Sequence, residues 1–255
     1  MTSKSPYLTI ALEAVKEAEK VIRKYYSKDT RATLKGDDSP VTIADQEAEE
    51  IIKKIIAEKF PDHAFLGEET GISDKNTEYL WIIDPIDGTK HYTRQIPLFA
   101  TQLALMKGDE VILGVSNAPV MDELIYAEKD RGTFLNGNSV LVSKISEISS
   151  SYMSFGGIGY FNKHNLIDSL IKIESDTQGH RGIGDFWSYH LLSSGKIDIM
   201  IEAETKVWDI AAVSIIVEEA GGKVTDLKGN SVSRTTNSIV ATNGLVHDQV
   251  LAYFK

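Results

Sequence analysis

The chain has 255 residues, 42% of them hydrophobic, enough to bury a substantial core as one domain or as two closely joined lobes. It contains no cysteine, which excludes a disulfide framework, a thiolate zinc site and a cysteine nucleophile, so any metal must be held by oxygen or histidine. A formal net charge of −10 disfavours a nucleic-acid surface, which needs clustered Lys and Arg.

Met1 to Pro6 lacks the apolar centre of a signal peptide, and no run approaches the length of a membrane span, so a cytoplasmic protein without a membrane partner is expected. From Pro6 to about Lys28, Leu8, Leu12, Val15, Ala18 and Ile22 recur at helical spacing behind a proline near the first turn. Val41 to Asp45 leads into a second helix reaching Lys59, with Ile51, Ile52, Ile55 and Ile56 as its buried stripe. Thr42 and Asp45 resemble a capping pair at its start.

The middle of the chain reads as β: Tyr79 to Ile83, Phe99 to Met106, Val111 to Ser116 and Leu124 to Ala127, with a turn at Lys107 to Glu110. The rest alternates. Helices are predicted at Lys163 to Ile173, Asp185 to Ser194 and Trp208 to Ala220, the last closed by Gly221-Gly222. Strands are predicted at Ile197 to Ile201, Lys223 to Asp226 and Ser238 to Ala241, before a final helix reaching Tyr253. The pattern implies an α/β fold of alternating helix and sheet layers in a single domain over 1–255. Within it, a metal-binding lobe is expected over about 1–145 and a substrate lobe over about 146–255.

The most informative stretch is Trp81 to Thr89, where Asp84 and Asp87 stand three residues apart at the end of a β-prone run. Pro85 is expected to break the strand and Gly88 to allow an unusual backbone angle, so that both carboxylates face one point. Gly88, Thr89 and Lys90 then offer N–H groups and a hydroxyl suited to a phosphate. Glu68, in Gly67-Glu68-Glu69, adds a carboxylate after a short apolar run, and Asp209 opens an apolar helix where the N–H groups of the first turn favour a negative charge. Glu68, Asp84, Asp87 and Asp209 together are hard oxygen donors with no sulfur, which suits Mg²⁺ better than zinc.

With Gly67-Glu68-Glu69, Trp81 to Thr89, Trp208 to Ala212 and Glu218 to Gly222 in order, the sequence resembles the inositol monophosphatase superfamily of Mg²⁺-dependent, Li⁺-sensitive phosphatases. The resemblance implies an αβαβα sandwich, usually dimeric, acting on a small phosphorylated metabolite with two or three Mg²⁺ ions. Carried over by position, Glu68, Asp84 and the carbonyl of Ile86 would hold one metal, and Asp84, Asp87 and Asp209 a second. Glu68 would also face a weaker third ion. Asp45 and Thr89 would be arranged around the attacking water, while the N–H groups of Gly88 and Thr89 grip the phosphate.

Substrate choice rests on Arg181 to His190 and on Glu202, which lies seven residues before Asp209, where inositol phosphatases place a carboxylate toward ring hydroxyls. Arg181-Gly-Ile-Gly184-Asp185 looks instead like the histidinol-phosphate phosphatases of this superfamily, and Asp185 beside Glu202 suits a cationic leaving group. Histidinol phosphate therefore leads. Inositol phosphate, fructose bisphosphate and adenosine 3′,5′-bisphosphate remain alternatives, as does a non-catalytic binding protein that keeps the fold. His63, His164, His180 and His247 show no metal spacing, and His91 beside the phosphate turn is read as solvent-facing or hydrogen-bonded.

Overall fold

The computed structural model describes residues 4–26, 33–34, 40–73, 75 and 77–255. Helices α1 (Pro6–Tyr26) and α2 (Ile43–Lys59) form one outer layer, with the two-residue strands β1 (Thr33–Leu34) and β2 (Pro40–Val41) pairing between them in the chain. The first sheet contains β3 (Ala64–Gly67), β4 (Gly71–Ile72), β5 (Tyr79–Asp87), β6 (Ala100–Lys107), β7 (Glu110–Ala118), β8 (Glu123–Glu128), β9 (Thr133–Leu135) and β10 (Asn138–Val140). Their spatial order is β10-β9-β8-β7-β6-β5-β3-β4, antiparallel except where β3 runs parallel to β5. A short helix, α3 (Thr89–Tyr92), follows β5 directly.

The second sheet is built from β11 (Tyr152–Phe155), β12 (Gly179–Arg181), β13 (Ile199–Glu202), β14 (Lys223–Thr225) and β15 (Ile239–Thr242), in the order β12-β11-β13-β15-β14. Between the sheets run α6 (Asp185–Ser193) and α7 (Val207–Glu219); outside the second sheet lie α4 (Ile158–Lys163), α5 (Ile167–Asp176) and α8 (His247–Leu251). These layers make the expected α/β sandwich.

The hydrophobic stripes place the layers. Ala11, Val15, Ile22, Ile52 and Ile56 cover one face of the first sheet, against Trp81, Ile83, Leu103 and Val115. The other face, with Leu80, Ile82, Ala104 and Met106, receives Val207, Ala211 and Ala212 of α7. Ile210, Val213 and Val217 of the same helix pack toward Met200, Ile239 and Ala241 of the second sheet. A helix apolar on every side must be buried on every side, and α7 is. Each of its large side chains contributes about 1.5–3 kcal/mol by leaving water. Among the described residues, no helix is long and apolar enough to cross a membrane.

Several elements differ from the sequence expectation. The helix expected over Lys163 to Ile173 is two helices, α4 and α5, separated where Asn165 takes a left-handed φ of 58°. The first helix is described only to Tyr26, so its expected end near Lys28 lies outside the described residues. Pro85 does not end its strand: β5 continues to Asp87 through a bulge. The β9–β10 hairpin, turned at Asn136-Gly137, and the strands β11 and β12 were not anticipated.

Candidate active site

The bulge in β5 sets the carboxylate geometry. Strict alternation would put Asp84 and Asp87 on opposite faces, but Asp84 pairs with Gln102 and Asp87 with Ala100, so β5 holds one extra residue between the pairs and both aspartates return to one side. Thr101 Oγ1 donates to the Pro85 carbonyl at 2.9 Å and fixes the bulge. Asp84 accepts from its own turn, the Ile86 N–H, at 3.0 Å. Asp87 accepts from Gln102 Nε2 at 3.3 Å and from the Phe186 N–H at 3.2 Å, which ties β5 to α6.

Gly88 then turns the chain into α3 with φ 92°, and a Cβ at this position would lie 2.7 Å from the Leu98 carbonyl, so both conformation and space demand glycine. Its carbonyl accepts from His91 and Tyr92 at 2.8 and 3.0 Å, while the first N–H groups of such a turn have no partner within the helix. Thr89 Oγ1 lies 3.0 Å from the Ile86 carbonyl and 3.4 Å from Asp45 Oδ1. Asp45 Oδ2 meanwhile accepts from the Thr42 N–H at 2.8 Å and the Thr42 hydroxyl at 2.6 Å, capping α2. The capping and site readings of Asp45 are thus divided between its two oxygens.

Asp209 enters from α7. Its Oδ2 accepts from the Lys206 N–H at 2.8 Å and Thr205 Oγ1 at 3.1 Å, fastening the first turn of the helix. Glu68 follows β3, its N–H donating to the Ile83 carbonyl at 3.0 Å.

Burial and mutual repulsion dominate the electrostatics. Burial raises Asp84 well above the usual carboxylate range, and Glu68, Asp87 and Asp209 raise it further. Asp87 is raised likewise, by burial and then by Asp185, Asp209 and Glu202. Burial lifts Asp209 to about 6 and Asp45 to about 7, in both cases against the hydrogen bonds that favour ionisation. Among the described residues, no three Asp, Glu or His side chains already close on one point as a ready-made coordination sphere; what unites these carboxylates is a shared field. Buried anions that repel one another, all of them hard oxygen donors, fit a divalent cation such as Mg²⁺. The Ile86 carbonyl, already accepting from Thr89, keeps a second lone pair.

Asp87 and Asp209 also line a cleft of about 820 Å³ together with Lys90, Arg181, Asp185 and Glu202. Asp185 begins α6 with a left-handed φ of 50°. Its carboxylate, raised by burial and lowered by His91 and Lys90, stands 3.5 Å from His91 Nδ1, a nitrogen without a hydrogen-bond partner. Glu202 accepts from Tyr189 Oη at 2.7 Å. Burial pushes it up to about 8, helped by Asp185 and Asp209 and opposed by Tyr189 and the Asp185 N–H. Tyr189 is buried, and it holds Glu202. His190 is a buried structural group, between Ser116 Oγ at 2.8 Å and Glu123 Oε2 at 3.0 Å.

The model of the inositol monophosphatase family matches residues 3–255. The chain belongs to this family. A histidinol-phosphatase from Mycobacterium tuberculosis is 36% identical over 250 residues, spanning 96% of this chain and 96% of that protein. An inositol monophosphatase from Dictyostelium discoideum is 34% identical, spanning 93% and 90% respectively. The crystal structure of the extragenic suppressor protein suhB from Bartonella henselae superposes with a TM-score of 0.92 at 27% identity, over 98% of this chain and 99% of that one. As an inositol monophosphatase family member the protein is a phosphoric monoester hydrolase acting on small phosphorylated substrates, and the family is generally metal-dependent.

Proposed function

We propose that the protein hydrolyses histidinol phosphate to histidinol and phosphate with Mg²⁺ as cofactor. The observation that carries this reading is the pair of carboxyl groups, Asp185 and Glu202, on the cleft wall beside the proposed metal ligands. A carboxyl group held near pH 8 by burial and by neighbouring anions is an unmet demand for positive charge, which a protonated amine or imidazolium on the leaving group supplies and a neutral polyol does not. The 36% identity to a histidinol-phosphatase supports the same choice.

Glu68, Asp84, Asp87, Asp209 and the Ile86 carbonyl would hold the ions. Bound Mg²⁺ supplies charge neutralisation for the phosphoryl oxygens, acidifies water and stabilises the departing alkoxide. The chain's own groups do the positioning. Thr89 Oγ1 directs its proton toward Ile86 or Asp45 and leaves its lone pairs to accept from the attacking water. Asp45, near pH 7, is poised to take up the proton that the water loses. The N–H groups of Gly88 and Thr89 face the phosphate, and Lys90 draws the anion into the cleft.

The test is phosphate release from histidinol phosphate, inositol 1-phosphate, fructose 1,6-bisphosphate and adenosine 3′,5′-bisphosphate, with Mg²⁺ and with chelator. The highest kcat/KM is expected for histidinol phosphate, with loss of turnover in chelator. Asp185→Ser should then cost about 1.5–3 kcal/mol, roughly ten- to a hundredfold in kcat/KM, for histidinol phosphate while sparing inositol 1-phosphate. Wild-type preference for inositol 1-phosphate would overturn the substrate, and substantial turnover in chelator would overturn the cofactor.

A further inference from the structure

Glu49 sits one helical turn after Asp45 on α2, and its side chain is fully buried. A buried carboxylate in a helix is costly unless its oxygens are satisfied, and those of Glu49 are satisfied largely by one short stretch of chain. The Glu69 N–H donates to Oε2 at 2.9 Å, the Thr70 hydroxyl donates to Oε1, and Lys53 Nζ lies 2.8 Å from Oε1 one further turn along the helix. The carboxylate also rests against the Cα of Gly67: a Cβ there would overlap Glu49 Oε1 and lie 2.6 Å from Oε2. Glycine at the head of Gly67-Glu68-Glu69 is thus explained by the group that packs on it.

Between these anchors lies Glu68. Its own N–H is held by the Ile83 carbonyl of β5, and the next N–H along the chain is held by Glu49, so the peptide groups on both sides of its Cα are fixed. Glu49 is itself fully buried with both oxygens engaged by Glu69, Thr70 and Lys53, so it acts on the chain around Glu68 rather than on a substrate.

We propose that Glu49 is a positioning residue for the metal site: by clamping the turn after β3 it sets where the Glu68 carboxylate points, and α2 thereby fixes both Asp45 and Glu68 from one face. The proposal rests on the assignment of Glu68 as a Mg²⁺ ligand. Groups that orient a ligand from behind govern metal affinity, and Glu49 does so through the backbone that follows Glu68.

The experiment measures Mg²⁺ affinity by calorimetric titration of the protein, alongside the Mg²⁺ dependence of turnover and the thermal midpoint in chelator. Glu49→Ala should weaken Mg²⁺ binding about tenfold in both titrations, with kcat largely restored at saturating Mg²⁺. Glu49→Gln, which keeps an acceptor for the Glu69 N–H, should recover part of the affinity. A purely structural role would lower the thermal midpoint and leave Mg²⁺ affinity unchanged, and that result in Glu49→Ala overturns the proposal. Should Glu49→Ala fail to fold, the exposed Thr70→Ala decides instead: weaker Mg²⁺ binding upholds the clamp and unchanged binding overturns it. A wild-type protein that binds no Mg²⁺ refutes the ligand assignment itself, separately from the clamp.

Discussion

Asp45 shows how much a single carboxylate can be asked to do when its oxygens are used separately. Oδ2 closes the start of α2 through Thr42, and Oδ1 looks toward Thr89. Thr89→Ala removes a hydroxyl that lies within reach of both Asp45 and the Ile86 carbonyl but leaves the backbone donors of the phosphate turn in place. Steady-state kinetics should show kcat lowered on the order of a hundredfold, the lower range for a positioned proton-transfer group, with KM changed far less. An unchanged kcat would remove Thr89 from the chemistry. The acidic residues of this region were legible in the sequence because carboxylates at Gly- and Pro-marked strand ends are chemically conspicuous. Glu49, Gln102 and the Phe186 N–H were not, because they act on other residues of the site. A trace of Glu49 was present all the same, in the spacing Asp45, Glu49, Lys53, which puts three ionic groups on one face of a helix otherwise read by its isoleucines.

At the scale of elements, α7 is the part on which the site most depends. It rests on β7 so closely that a Cβ at Gly114 would overlap the Ala212 carbonyl and lie 2.7 Å from Ile215 Cγ2. Gly114→Ala must therefore push the helix off the sheet, and the helix carries Asp209 in its first turn. Chemical denaturation should show a loss of about 1–3 kcal/mol, the usual cost of overpacking, accompanied by lower activity in the protein that remains folded. Full stability and activity would mean that the contact relaxes without moving α7. The sequence foretold this helix well, because an apolar run capped by Asp209 and ended by paired glycines has few other readings. It foretold the edges of the sheets poorly. Strands β9 to β12 are three or four residues long, too short for alternation to register, and the stop between α4 and α5 depends on one left-handed asparagine.

For the molecule as a whole, the cluster of raised carboxyls makes stability depend on pH in an unusual direction. Asp209, Asp45 and Glu202 bind their protons more tightly in the fold than in the unfolded chain, so their contribution is fully present below the ordinary carboxylate range and is lost as pH rises through about 6, 7 and 8. His247, lowered to about 4 by burial, works in the opposite direction but only below the ordinary histidine range, which leaves pH 6.5 to 8.5 as a clean window. In chelator the thermal midpoint should fall across that window. Added Mg²⁺ should raise it, and by more at the alkaline end, because an ion that displaces protons binds better where fewer are bound. A midpoint that is flat or rising in chelator would show that these groups ionise in the fold as readily as in the unfolded chain.

The position of α7 between the two sheets also has a consequence in time. Asp84 leaves the first sheet and Asp209 leaves α7, far along the chain, so the two carboxylates can approach each other only after the long intervening segment has closed the sandwich. Contacts between residues so distant in sequence form late, since the entropy of closing the loop is lost before the contact returns anything. An ion held by both, as proposed, would then be a latch on the finished structure rather than a seed for it. Such a latch would govern how slowly the protein comes apart more than how quickly it comes together.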